Sequence, residues 1–331
     1  MSNSLPCDPT NAMFCRVDSG RVDMMKVMIM GAAGTPYAHG AFIYDLFFDN
    51  NYPNGPPKCL LTTTGGGTVR FNPNLYNQGK VCLSLLGTWR GSSTENWDPK
   101  VSTILQLLLS IQAIIMSNEV YFNEPGYEHE MNKPEGEKKN KGYQNIVKYC
   151  NVKYAMIDTI KNPPKGFEKV VRTSFYLKKK MILEEVKQWC DEAKTADTDS
   201  AYIGLVYDHN YQWAPQLSKP GAYLKMMDEI YIELEKVLNE LPDPYSQIAE
   251  EQLQKPPQQI KKERTNCSKG HPLTIVTKVP IAYPHTDGPH YVYCDNCQDK
   301  MYQCNSKEDH AKETDPWLHC KICNEDYCMN C

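Results

Sequence analysis

Eight of the fourteen cysteines fall between Cys267 and Cys331, most of them in close pairs, and this placement divides the chain. A stretch so rich in paired cysteine and so poor in large aliphatics cannot be stabilised by an ordinary apolar core, and needs covalent or metal staples instead. The other six cysteines (Cys7, Cys15, Cys59, Cys82, Cys150 and Cys190) stand singly across the first 266 residues, which must bury a core of their own. Between the two parts, residues 246–265 are rich in Gln, Glu, Lys and Pro with few apolar side chains, the composition of a linker. At 331 residues the chain is long enough for two or three domains. The expected division is a body over 1–194, a helical segment and polar linker over 195–265, and a cysteine-rich domain over 266–331.

Charge and hydropathy then exclude several classes. A net charge of −4 carries no basic excess, so neither nucleic acid nor a membrane surface is an expected partner. The first residues lack the charged and apolar regions of a secretory signal. The longest apolar stretch, 104–116, is interrupted by Gln106, Ser110 and Gln112 and is too short to span a bilayer, so a buried helix is expected. The cell interior is therefore the expected compartment, cytoplasmic with the nucleus left open. Thiols stay reduced there, paired cysteines indicate metal, and single ones are buried hydrophobes or nucleophiles.

The body reads as strands followed by helices, an α+β class. Residues 27–30, 41–48 and 59–63 are short apolar and aromatic runs. Gly34-Thr35-Pro36, Asn54-Gly55-Pro56-Pro57 and Gly65-Gly66-Gly67 separate or follow them as turns. Short connections between consecutive strands imply an antiparallel meander flanked by helices. A helix is expected from Asp98 as cap and Pro99 as first residue, with Val101, Ile104, Leu105, Leu108, Ile111 and Ile115 on its apolar face. Further helices are expected over 143–161 and 165–193, and residues 202–220 support no assignment. Tyr223, Met227, Ile230, Leu234, Val237 and Leu241 form one stripe over 222–241, a packing face rather than a cofactor site, ended by Pro242.

Cys82 lies between Val81 and Leu83 with no histidine beside it, so the residues alone fit a buried structural cysteine. The wider segment resembles a known family. Asn72-Pro73-Asn74, Gly79 and Cys82 are similar to the active-site motif of ubiquitin-conjugating enzymes, His-Pro-Asn followed by Gly and a catalytic Cys eight residues beyond the Asn. Met30-Gly31 with Thr35-Pro36-Tyr37 and Gly40, then Tyr52-Pro53 with Pro56-Pro57, Trp97-Asp98-Pro99 and Asn123-Glu124-Pro125-Gly126 resemble further family motifs in the family's order. Within it, Phe71-Asn72-Pro73-Asn74-Leu75-Tyr76, Gly87-Thr88-Trp89 and Tyr121 to Tyr127 resemble the conjugating domains of very large hybrid conjugating enzyme–ligases of the apollon/BRUCE type. Those hybrids also carry Asn in place of the usual His, so Asn72 is expected. The resemblance covers roughly residues 20 to 190.

The resemblance implies that an activating enzyme loads ubiquitin, or a related modifier, onto Cys82 as a thioester. A substrate lysine then attacks the carbonyl, with or without a ligase as further partner. Acyl transfer needs a donor near the developing oxyanion, and Asn74 is the candidate, against the alternative of a turn residue bonding its own backbone. Glu124 is the candidate carboxylate for orienting the attacking amine, against a solvated loop residue. Tyr127 is expected to pack. One departure stands out: the family's opening amphipathic helix is expected to be absent or rudimentary, because the twenty or so residues before Val27 include Pro6, Pro9 and Gly20.

The C-terminal cysteines form the pairs Cys267-x3-His271, Cys294-x2-Cys297, Cys320-x2-Cys323 and Cys328-x2-Cys331. Two intervening residues let both sulfurs reach one tetrahedral Zn²⁺ at about 2.3 Å, so four pairs imply two structural ions. With so little apolar material here, metal binding would supply much of the folding free energy. A cross-brace, with first and third pairs on one ion and second and fourth on the other, is the expected arrangement, and a sequential one stays open. Cys304, His290, His310 and His319 are bystanders or substitute ligands. The later pairs resemble ZZ-type fingers, and Cys-x3-His followed by Pro-Leu resembles protein-kinase-C-like and plant cysteine/histidine-rich fingers. The ligand order differs from the RING pattern. The expected role of this module is substrate or partner binding. Ligase activity, or a non-catalytic adaptor role for the whole chain, are the alternatives.

Overall fold

The computed structural model describes residues 5–8, 10–89, 91–92, 94–195 and 221–244, and in the C-terminal part 274–278, 290–293, 300–304, 313–320 and 325–328. The chain divides into two units, Met1–Pro244 and Tyr245–Cys331.

The first unit is built on a four-stranded antiparallel meander in sequence order: β1 (Met13–Val17), β2 (Met24–Met30), β3 (Ala41–Phe47) and β4 (Lys58–Leu61). Val27 pairs with Tyr44 and Tyr44 with Leu61, so the central strands stack wholly buried side chains. Lys26 sits opposite Asp45, and their side chains form an ion pair, a cross-strand match that helps fix the register. β1 escaped the sequence reading, which began the sheet at Val27. It has five residues, pairs on one side only, and leaves Val17 54% exposed, so no apolar run marks it. An edge strand, rather than a helix, thus precedes β2 among the described residues.

α1 (Ile104–Ser110) begins five residues later than expected. Asp98 makes a turn instead of a cap: its carboxylate accepts from the Lys100 N–H at 2.9 Å, and its carbonyl accepts from the Val101 and Ser102 N–H groups. Val101 is left 71% exposed. Thr103 is the N-cap, its hydroxyl accepting from the Gln106 N–H at 3.1 Å. Ile104, Leu107, Leu108, Ile111 and Ile115 are buried in the core, the last two on a wider, π-type stretch over Ile111–Ile115.

α2 (Pro134–Cys150) continues through a π-type stretch, Asn151–Asp158, into Thr159–Lys161. Its start lies nine residues before the expected one, because 134–142 is polar and carries no apolar period. Proline at the first position marks the start instead. α3 (Glu168–Thr195) buries Val171, Phe175, Ile182, Val186, Trp189 and Cys190. α4 (Ala222–Asn239) buries Tyr223, Met227, Ile230, Leu234 and Val237, the stripe read from the sequence, and joins the same core. No helix among the described residues is long and apolar enough to cross a membrane.

In the second unit, β5 (Thr274–Lys278), β8 (Glu313–Cys320) and β9 (Glu325–Cys328) form a sheet in the order β5-β8-β9. β6 (His290–Tyr293) pairs with β7 (Lys300–Cys304). Of the eight expected zinc ligands, Cys320 and Cys328 lie on strands, and Cys267, His271, Cys294, Cys297, Cys323 and Cys331 lie outside the described residues. Cys320 pairs with Glu325, and Cys328 with Trp317. The linker at 246–265 and the segment 202–220 also lie outside the described residues.

Candidate active site around Cys82

After β4 the chain turns out, returns and folds back on the sheet edge. The Leu61 N–H donates to the Gly79 carbonyl at 2.8 Å. Gly79 has φ +88°, and a Cβ there would sit 2.5 Å from the Leu61 carbonyl oxygen, so only glycine permits this close approach. The loop between is anchored by Asn72, which is fully buried. Its amide donates to the Tyr37 hydroxyl at 3.1 Å and the Ile115 carbonyl at 2.9 Å, and its Oδ1 accepts from the Asn74 N–H at 2.9 Å. That last bond is the side-chain turn considered above for Asn74, and Asn72 makes it instead.

Two contacts then set Cys82. Its N–H donates to the Asn74 carbonyl at 2.9 Å. On its far side, the Thr88 hydroxyl donates to the Val81 carbonyl at 2.7 Å and accepts from the Leu83 N–H at 3.0 Å. Thr88 thereby pins both neighbours of the cysteine. Asn74 Oδ1 is buried and has no hydrogen-bond partner, a side chain not used up by its own turn.

Cys82 is only 2% exposed, yet it lies outside the continuous apolar cluster that contains Val81 and Leu83. Its surroundings are polar and charged. Burial pushes the thiol up from its ordinary value. The Lys80 and Arg70 cations and a hydrogen bond from Tyr76 oppose that rise, and Glu124 adds to it. The net direction is upward, so the resting group is a buried thiol with charged side chains as electrostatic neighbours. Such a group reacts through its small ionised fraction.

Arg70 donates to the Glu124 carboxylate at 3.1 Å and to the Pro73 carbonyl at 2.6 Å, and its guanidinium carbon lies 4.3 Å from the centre of the Tyr76 ring. The structure thus brings together Cys82, Asn74 and, through Arg70, Glu124. Tyr127 stacks on Tyr121 with ring centres 4.6 Å apart. Trp97 donates to the Pro53 carbonyl at 2.8 Å, a structural tie between two of the quoted motifs. Arg70 and Thr88 were not singled out from the sequence, where each stood only as part of a longer motif. For Arg70 the sequence offers one signal that could have found it, its place four residues before Asn74.

The family profile described as "Ubiquitin-conjugating enzyme" matches residues 4–151, spanning the sheet, this loop and α2. Residues 4–151 are thus similar to a ubiquitin-conjugating domain. Over 225 residues the chain is 43% identical to the human "Dual E2 ubiquitin-conjugating enzyme/E3 ubiquitin-protein ligase BIRC6", covering 68% of this chain and 5% of that protein. It is 43% identical over 191 residues to "Probable ubiquitin-conjugating enzyme protein 17" of Caenorhabditis elegans, covering 58% and 26%. It is also 43% identical over 184 residues to "Probable ubiquitin-conjugating enzyme E2 26" of Arabidopsis thaliana, covering 56% and 32%. The chain therefore spans a third or less of the length of each of these relatives.

Proposed function

We propose that this protein accepts ubiquitin from an activating enzyme as a thioester on Cys82 and passes it to a lysine amine of a protein substrate. The observation that carries this reading is the close pairing of Cys82 with Asn74, inside a rim of charged side chains, in a domain of the conjugating family. Loading is a thiol exchange: the Cys82 thiolate attacks the incoming thioester, and the activating enzyme's sulfur leaves. In discharge the amine attacks the same carbonyl, a tetrahedral oxyanion forms, and collapse expels the Cys82 thiolate as the nitrogen loses its proton. The Asn74 carbonyl accepts from the Cys82 N–H, which ties the two residues together, and the Asn74 side-chain NH2 is the donor assigned to the oxyanion. Glu124 orients the amine. The site of action is the cytoplasm, with the nucleus also open, and neither nucleic acid nor a membrane is a partner.

Residues 266–331 are assigned two structural zinc ions held by Cys267, His271, Cys294, Cys297, Cys320, Cys323, Cys328 and Cys331, forming a module for substrate or partner recognition. Bound zinc would supply folding free energy to this unit. A second reading gives this module ligase activity, in line with the dual name of the human relative.

Incubation of the full chain with activating enzyme, ATP and ubiquitin tests the proposal. The expected product is a thiol-labile adduct that free lysine discharges, from a preparation containing two zinc ions per chain. An adduct that lysine cannot discharge would overturn the transfer step, and a metal-free preparation with a folded C-terminal unit would overturn the zinc assignment.

A further inference from the structure

Four charged or phenolic side chains surround Cys82, and one of them, Arg70, contacts two of the others. Arg70 lies on the approach to the loop, and Glu124 lies 54 residues further on, at the end of a short turn of helix over Tyr121–Asn123. The Arg70 side chain is 13% exposed against 38% for Glu124, so it is the inner partner of the pair. Its contacts to the Pro73 carbonyl, the Glu124 carboxylate and the Tyr76 ring use the planar fork and the flat face together, a combination that lysine cannot reproduce. The Lys80 ammonium lies 5.7 Å from the same ring, so Tyr76 is flanked by two cations while it hydrogen-bonds to Cys82.

We propose that Arg70 is a positioning residue for ubiquitin discharge: it fixes the Glu124 carboxylate and the Tyr76 phenol at the rim of Cys82, so that an incoming amine meets an oriented acceptor next to the thioester. This inference rests on the thioester reading above. The physical case is one of preorganisation. A carboxylate on an exposed loop samples many directions, and a largely buried guanidinium that is itself anchored to the loop backbone selects one of them. A displacement of about 1 Å at such a site costs roughly a hundredfold in rate. Arg70 also places a positive charge near the sulfur, which favours thiolate both as attacking and as leaving group.

The test uses the full chain with the substitutions Arg70→Ala, Arg70→Lys, Glu124→Gln and the double variant Arg70→Ala/Glu124→Gln. Single-turnover discharge of pre-charged protein to free lysine is measured alongside the rate of charging. In parallel, mass spectrometry of the Cys82 peptide follows iodoacetamide alkylation against pH. For Arg70→Ala, discharge should fall about tenfold or more relative to charging. Its alkylation midpoint should move to higher pH, and Arg70→Lys should restore the midpoint but not the discharge rate. The double variant should discharge no more slowly than Arg70→Ala alone. Native discharge by Arg70→Ala, an unmoved alkylation midpoint, or losses that multiply in the double variant would each overturn the inference. Failure of the native protein to charge at all would instead overturn the thioester reading.

Discussion

Asn72 and Asn74 stand two residues apart and have opposite environments. Asn72 is fully buried, with its amide and its carbonyl oxygen both bonded, and it holds the loop. Asn74 gives its backbone to Cys82 and keeps its side-chain oxygen unpaired. An unpaired buried polar group costs about 1–3 kcal/mol, so truncating Asn74 breaks no hydrogen bond at that oxygen. Asn74→Ala should therefore leave thermal stability close to native while slowing lysine discharge by about a hundredfold, the scale of one oxyanion donor. Rates of charging and discharge measured separately decide it; unchanged discharge removes the oxyanion role. Cys82 and Asn74 were legible in the sequence because one short loop joins them and their spacing survives folding. The Arg70–Glu124 contact was not, because it spans 54 residues and depends on how two loops meet.

At the scale of elements, α3 packs a stripe of apolar residues that also carries Lys178, only 3% exposed. Its ammonium has no hydrogen-bond partner and lies 5.9 Å from the Phe175 ring. Burial lowers its pKa from 10.5 to about 8. His39, also buried, faces the same charge at φ +62° and is lowered to about 4, by burial first and by Lys178 second. Between pH 8 and 10.5 the unfolded chain binds the lysine proton more tightly than the folded one, so this group's contribution to stability rises with pH across that window. Below pH 8 the full penalty applies, about 3 kcal/mol for a shift of this size. Lys178→Met keeps the length and removes the charge, and should raise Tm by roughly 5 °C at pH 7 while flattening the rise above pH 8. Calorimetry across that range measures it, and a lower Tm would show that the amine has a partner in solution. The apolar stripe of α4 and the strands β2 and β3 were readable because one face, or both, is apolar. β1 and the start of α2 were not, since an edge strand and a polar first turn have no apolar period to detect. The late start of α1 has a similar cause: Asp98-Pro99 carries the signature of a helix start, and the Ser102-Thr103 pair competes for it and wins.

For the whole molecule, the division into a self-sufficient body and a cysteine-rich end follows from where the cysteines lie, and the two units divide at Pro244. The body contains its own core, with α4 included, and a complete loop for Cys82. Chemistry at that sulfur is the claim on which the proposed function, the role of Asn74 and the role of Arg70 all depend. It is tested most directly by charging the full chain and its Cys82→Ser variant side by side with activating enzyme, ATP and ubiquitin. The native adduct should vanish on adding a thiol, whereas the serine variant should give an adduct of the same one-to-one stoichiometry that resists thiol and yields to hydroxide. A thiol-labile adduct on the serine variant, or none on the native chain, would contradict the account.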